Sequence, residues 1–237
     1  MNKNFLITGA SAGLGEKFTS LISDIAENII IVGRDKIKLS KLKKKINKIN
    51  PKVKVIFFIE DLSTSLGASN LIRKFNKQKK IKFIDVLVNS AANFTVKKIE
   101  NISLEQINRD FQLNVISPFI LSKYFGIKMK KKNNGIIFNI GSSSSYDCSE
   151  NTSIYCSTKH ALLGMSKAFN SELKAHGVKS IFIAPGSMKT HMGRKVKNQD
   201  FSTFIEPNEV AILMKNLLKN QNSIFIDEIK IKRAVYR

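Results

Sequence analysis

Residues 5–15 read "FLITGASAGLG", and the break from an apolar run into glycines there decides how the rest of the chain is arranged. The first four residues are apolar enough and short enough for a buried strand. Glycines at 9, 13 and 15 then permit a tight turn, and an amphipathic, helix-length segment follows at once. A strand–turn–helix junction of this kind gathers backbone N–H groups at a helix N-terminus, where the helix dipole favours a pyrophosphate. The spacing is G-x-x-x-G-x-G rather than the commoner G-x-G-x-x-G, so its place between the first strand and first helix carries the argument.

Working outward, strand-like apolar runs recur at 5–8, 29–32, 53–59, 86–88, 136–140, 179–183 and 224–231. Segments at 14–23, 37–49, 65–76, 104–129, 157–176 and 208–220 show apolar residues at the i, i+3, i+4 spacing of a helix that buries one face. This alternation predicts an α/β protein: a Rossmann-type, doubly wound parallel sheet of about seven strands with helices on both faces. No linker, internal repeat or low-complexity block divides residues 1–237, so one domain is expected. The least regular stretch, residues 187–206, is long enough to suspect a substrate loop.

A hydrophobic content of 43% is ample for a core, and no apolar run approaches the roughly 20 residues of a membrane span. The start of the chain lacks the apolar stretch of a secretory signal, and a cytoplasmic location is expected. The two cysteines, Cys148 and Cys156, match neither a metal-ligand spacing nor a disulfide framework and read as free thiols; no metal is expected. A net charge of +22 would suit nucleic acid, but it comes mainly from Lys alongside much Asn and Ile, the bias of an AT-rich coding sequence. Bidentate phosphate recognition favours Arg, and Lys-rich runs such as "KLSKLKKKINKINPK" fall on helical patterns as solvated faces. No specific nucleic-acid partner is expected.

After the second strand, many dinucleotide folds place a carboxylate on the adenosine ribose. Here Gly33 holds the strand end and Arg34 follows, which suits a 2′-phosphate and favours NADP(H) over NAD(H). A one-residue shift would bring Asp35 to that position, so NAD(H) stays open. Further along, "IYCSTKHALLG" at 154–164 puts Tyr155 and Lys159 four apart, on one helix face. Spacing alone does not distinguish a polar patch from a phenol tuned by an ammonium.

Seven ordered pieces settle which: "TGASAGLG", "EDL" at 60–62, "NSAA" at 89–92, "LNVISPF" around Asn114, "NIGSSSS" at 139–145, "YCSTK" and "APGSMKT" at 184–190. With them the chain resembles the single-domain short-chain dehydrogenases/reductases over nearly its whole length. The resemblance implies an oxidoreductase acting on a small-molecule carbonyl/alcohol pair. It implies that Tyr155 gives its proton to the carbonyl oxygen as hydride leaves the nicotinamide, and that Lys159 holds the ribose hydroxyls and lowers the tyrosine's pKa. Ser142, thirteen residues before Tyr155, would hydrogen-bond the substrate oxygen, with Ser143 as the alternative within the four serines. Asn114 would interrupt its helix and hold a water linking Lys159 to a proton relay. Gly9, Ser11, Gly13, Leu14 and Gly15 would cradle the phosphates, and Asp61 and Leu62 would meet the adenine. Asn89 and Ala91 would support the cofactor side, and Pro185, Gly186 and Thr190 would touch the nicotinamide.

The chain also departs from that family's pattern. "NSAA" replaces Asn-Asn-Ala-Gly, and "IFIDEIKIKRAVYR" lacks the common Asp-Gly-Gly ending, which weakens the homodimer or homotetramer that the resemblance implies. The 187–206 loop carries Lys189, His191, Arg194, Lys195 and Lys197, able to attract an anionic or carrier-linked substrate, although a Lys-rich chain makes a basic loop ordinary. His191 has no acid or metal-ligand partner in sequence and is given no catalytic role. The alternative function is a dinucleotide-binding regulatory or scaffold protein without turnover; the four-residue set Asn114, Ser142, Tyr155 and Lys159 argues for the enzyme.

Overall fold

The computed structural model describes residues 3–196, 199–219 and 224–234. Strands β1 (Lys3–Thr8), β2 (Ala26–Gly33), β3 (Lys54–Ile59), β4 (Val86–Asn89), β5 (Gly135–Ile140), β6 (Val178–Pro185) and β7 (Glu228–Ile231) form one sheet. Its order is β3-β2-β1-β4-β5-β6-β7, with every neighbouring pair parallel. Helices α1 (Gly13–Leu21), α2 (Lys36–Ile49), α3 (Gly67–Lys77), α4 (Leu104–Phe111), α5 (Ser117–Lys131), α6 (Ser153–Leu173) and α7 (Pro207–Asn216) cover the faces. The doubly wound sheet is therefore the expected one.

Side-chain alternation explains why the strands read as unbroken apolar runs. In β1, Phe5 and Ile7 enter the core shared with α1, α2 and α7, while Leu6 enters the opposite core shared with α3, α5 and α6. Phe18 of α1 is fully buried and meets the rings of Phe5 and Phe138 edge-on, at centroid distances of 6.4 and 6.1 Å. Cutting it to Ala would remove a large packed ring, a change that costs about 3–5 kcal/mol in such cores.

Two elements differ from the periodicity reading. The continuous helix expected at 104–129 is split by a π-turn at Gln112–Ile116, because apolar spacing does not register one inserted residue. The last strand begins at Glu228 rather than 224; Asn220, the expected end of the last helix, lies outside the described residues. Among the described residues, no helix is long and apolar enough to cross a membrane.

Candidate active site

Strand order reverses between β1 and β4, and the crevice at the C-terminal ends of these strands is where doubly wound sheets bind ligands. The Gly9–Gly15 turn leads into it. Gly9 has φ +66°, and a Cβ there would come within 2.7 Å of the Ala91 nitrogen, so the turn packs directly on the loop after β4. Thr8 fastens the two: its hydroxyl donates to the Val88 carbonyl at 3.2 Å and accepts from the N–H of Ser90 and of Ala91, at 3.1 and 3.2 Å. Gly13, at φ +56°, faces the Thr190 methyl, where a Cβ would sit 3.3 Å away. Helix α1 then starts from Ala12, which offers no side-chain cap, so its first N–H groups remain available to an anion.

The other expected dinucleotide contacts line the same edge. Leu14 and Leu62 are buried core residues and offer only backbone there; the Leu62 carbonyl already accepts from the Ser117 hydroxyl at 2.7 Å. The Ser11 hydroxyl closes on Gly33, where a Cβ would stand 3.2 Å from it. Arg34 lies exposed, 3.8 Å from the Asp61 carboxylate. Burial pushes the Asp61 carboxyl up, but hydrogen bonds from the Ser63 hydroxyl and N–H, with Arg34 and Arg109 nearby, hold it below the ordinary value. Asp35 caps α2 instead, accepting from the Lys38 N–H at 3.0 Å.

Asn89 supports the crevice from below. Its Nδ2 donates to the Ser122 hydroxyl at 2.9 Å and to Asn139 Oδ1 at 2.8 Å, while Asn139 Nδ2 reaches the Ser166 and Ser180 hydroxyls at 3.1 and 3.2 Å. This buried ladder runs across β4, β5 and β6 into α5 and α6. Asn89 Oδ1 is buried without a partner among the described residues.

Tyr155 and Lys159 occupy the first two turns of α6, both buried. The Lys159 Nζ donates to the Ile140 carbonyl at 2.8 Å and lies 5.6 Å from the centroid of the Tyr155 ring. Burial pushes the Tyr155 phenol up to about 12, with a hydrogen bond from Ser142 pulling back. Burial also pushes the Lys159 ammonium down to about 7. In the chain alone desolvation penalises both charges; the expected lowering of the phenol calls on the positive charge of an oxidised nicotinamide as well as on Lys159.

Of the four serines, Ser142 is the one whose hydroxyl pulls the Tyr155 phenol down, while Ser143 is exposed. The Ser142 hydroxyl also accepts from the Ser144 N–H at 3.1 Å, which fixes its orientation. Asn114 sits in the π-turn and is buried; its side chain accepts from the Asn93 N–H at 2.9 Å and donates to the Asn93 carbonyl and Thr158 hydroxyl, each at 3.0 Å. Thr158 in turn donates to the Tyr155 carbonyl at 2.8 Å. The π-turn thus ties the loop after β4 to the helix carrying Tyr155.

A cavity of about 620 Å³ opens beside Tyr155, walled by Ser142, Phe94, the 147–152 segment, Pro185–Gly186 and part of the 187–206 loop. The described part of that loop holds more regular structure than expected, with helical turns at Gly193–Lys195 and Phe201–Thr203 and a bridge between Met188 and Ile205. Its basic residues have local partners: Lys189 pairs with Glu206 at 2.7 Å, Arg194 lies over the Phe201 ring, and Lys195 donates to the Phe94 carbonyl at 3.1 Å. Lys197 is outside the described residues. Sequence reasoning missed Phe94, whose ring meets that of Tyr155 edge-on at 4.6 Å, and the C-terminal Ile231–Arg233, which also line the cavity. Nothing in periodicity links positions so distant along the chain. Among the described residues, no group of three or more His, Cys, Asp or Glu could hold a metal ion.

The model of the short chain dehydrogenase family matches residues 3–200. A Staphylococcus aureus (strain MRSA252) protein named only as an uncharacterized oxidoreductase is 24% identical over 231 residues, covering 98% of this chain and 97% of that protein. Among solved structures, an alcohol dehydrogenase from the archaeon Thermococcus sibiricus, complexed with 5-hydroxy-NADP, superposes with a TM-score of 0.87 at 23% identity, covering 100% of this chain and 98% of its own. A 4-hydroxyisoleucine dehydrogenase complexed with NADH gives 0.84 at 22% identity, with 98% and 97% covered. At these identities the structural likeness speaks for the fold.

Proposed function

The chain belongs to the short-chain dehydrogenase family, and from that membership we propose that it interconverts a small carbonyl compound and its alcohol using NADP(H), with Tyr155 as the proton donor. The observation that carries this reading is that Ser142 and Tyr155 line one wall of the crevice, with the Lys159 ammonium 5.6 Å from the Tyr155 ring behind them and Asn114 bracing the helix. The dinucleotide, when bound, supplies or accepts the hydride and carries a positive charge on its oxidised nicotinamide. The glycine turn and the uncapped start of α1 would hold its phosphates, and Thr190 and Pro185–Gly186 would flank it. Arg34 favours a 2′-phosphate, and this reading gains support from Asp35, whose carboxylate is engaged at the α2 cap. Relatives of the same fold carry either NADP or NADH in their structures, so the choice rests on Arg34.

Tyr155 carries its proton in the protein alone, the form a general acid must start from, and a positive charge on the bound nicotinamide would draw its value back toward neutrality. The Ser142 hydroxyl orients the substrate oxygen toward that phenol. Lys159 is ready to give or take a proton near neutrality, as a link between Tyr155 and solvent requires. The Asn114 side chain is engaged by Asn93 and Thr158 and would brace the segment beside which a connecting water sits. Phe94 and the 187–206 loop shield the reacting atoms from bulk water.

The test is NADPH oxidation by the purified chain across a panel of ketones and aldehydes, with NADH in parallel. Turnover with NADPH exceeding that with NADH is expected, and Tyr155→Phe should lower kcat by roughly 10³-fold or more while changing the NADPH Kd by less than about threefold. Full activity in that variant would remove Tyr155 from the reaction. Tight dinucleotide binding without turnover on any carbonyl would favour the regulatory alternative.

A further inference from the structure

The chain's two cysteines, eight positions apart in sequence, line one cleft beside the site. Cys148 is exposed and Cys156 is buried in the first turn of α6, next to Tyr155. The Cys156 sulfur lies 3.2 Å from the Thr152 hydroxyl and 3.8 Å from the carbonyl of Asp147, the residue before Cys148. Cys148 and Cys156 both line a cleft of about 800 Å³ with Lys98 and His160. With the Cys156 sulfur that near the backbone at the root of Cys148, rotation of the exposed Cys148 side chain can bring the two sulfurs to the ~2.05 Å of a disulfide. The residues between them form a wall of the substrate cavity: Asp147, Ser149, Glu150, Asn151 and Thr152 all face it. The mechanism uses neither thiol.

We propose that Cys148 and Cys156 form a reversible disulfide, made by hydrogen peroxide or a small-molecule disulfide, which pins the 147–152 wall of the substrate cavity against α6. With peroxide, the exposed Cys148 sulfur attacks one oxygen, the O–O bond breaks, and a sulfenic acid forms as hydroxide leaves. The Cys156 sulfur then attacks the Cys148 sulfur, the S–O bond breaks and a second hydroxide leaves. Both thiol protons end on those oxygens as two waters, and two electrons have passed from sulfur to peroxide. A dithiol reductant reverses the bond. The neighbouring Cys156 thiol raises the Cys148 thiol above its ordinary value, which slows the first step at neutral pH and keeps the pair reduced until oxidant accumulates.

The experiment treats the reduced full chain with hydrogen peroxide and, separately, with oxidised glutathione, then measures intact mass, thiol titre, a peptide map and amide exchange. The expected product is about 2 Da lighter, has no titratable thiol, and contains Cys148 linked to Cys156, and dithiothreitol reverses it. Cys148→Ser and Cys156→Ser should each block its formation. Exchange over residues 147–152 should slow in the oxidised chain. The effect on turnover rests on the proposed carbonyl reduction: KM for the carbonyl should rise about tenfold or more with the NADPH Kd unchanged, and Cys148→Ser should be resistant. Mass and exchange do not depend on that reading, so a chain without turnover still tests the disulfide. Sulfinic acid at Cys148 with Cys156 still a thiol, a lasting glutathione adduct, dimers joined through Cys148 alone, or a disulfide that leaves the 147–152 exchange unchanged would each overturn the proposal.

Discussion

At Tyr155 and Lys159, burial acts on two side chains of opposite charge type, and each is driven toward its neutral form. For the lysine this is a cost of folding that varies with pH. Below about 7 the ammonium is present in both folded and unfolded chains, and the full desolvation penalty applies. Between about 7 and the ordinary 10.5, the unfolded chain keeps the proton that the folded chain has shed, so this contribution makes stability rise with pH. Above that window neither state carries it and the cost is gone. Lys159→Met should therefore be more stable than the parent by a few kcal/mol at pH 6, at about 1.4 kcal/mol for every tenfold loss of proton affinity, less the hydrogen bond to Ile140. The difference should shrink steadily toward pH 10, as read by chemical denaturation of both proteins without added dinucleotide. An equal difference at both ends would show that Lys159 is not buried as described. Tyr155 has the opposite sense and a higher window: its raised value makes stability fall only as pH climbs from about 10 to about 12.

At the scale of elements, the π-turn at Gln112–Ile116 is what brings Asn114 into contact with both Asn93 and Thr158. Asn114→Ala would strand the half-buried backbone N–H and carbonyl of Asn93 and free α6 from the loop after β4. Thermal or urea denaturation should show a loss of about 2–4 kcal/mol, and kcat should fall more than the dinucleotide Kd changes. Unchanged stability would mean that water replaces the amide without penalty. This element also marks the limit of what could be read from sequence. β1, its glycine turn and the helix periods were legible because each is a local pattern of apolar and small residues. The π-turn was not, since one inserted residue leaves the apolar spacing of 104–129 nearly unchanged. The Asn89–Asn139–Ser180 ladder was hidden for another reason: its members become neighbours only after β4, β5 and β6 are placed side by side. Tyr155 and Lys159 were found through the company they keep in the chain, whereas Phe94 and Ile231–Arg233 reach the cavity through sheet order alone. The cysteines looked unrelated because Cys148 lies ahead of α6, outside its helical pattern; the turn before that helix places it on the cleft that Cys156 also lines.

For the molecule as a whole, the +22 net charge sits largely on solvated helix faces: α2 buries only Leu39, Leu42 and Ile46 and sends its lysines outward. Such a surface repels itself, and the repulsion is screened within about 10 Å at 0.1 M salt. Raising sodium chloride from roughly 0.02 to 0.3 M should therefore raise Tm by a few degrees, and a fall in Tm would show that the exposed ion pairs outweigh the repulsion. The winding of the sheet adds a constraint in time. Helix α1 packs against α7, where Lys215 reaches back to the Leu21 carbonyl and the Asp24 carboxylate, and Phe18 waits for the ring of Phe138. During synthesis at about 5–20 residues per second, α1 emerges roughly 10–40 seconds before the helix that covers it. The nascent chain must carry an apolar, unshielded helix through that interval. The first helix to be translated is thus among the last to reach its final surroundings, and molecular chaperones have their longest opportunity at the very turn that begins the chain's chemistry.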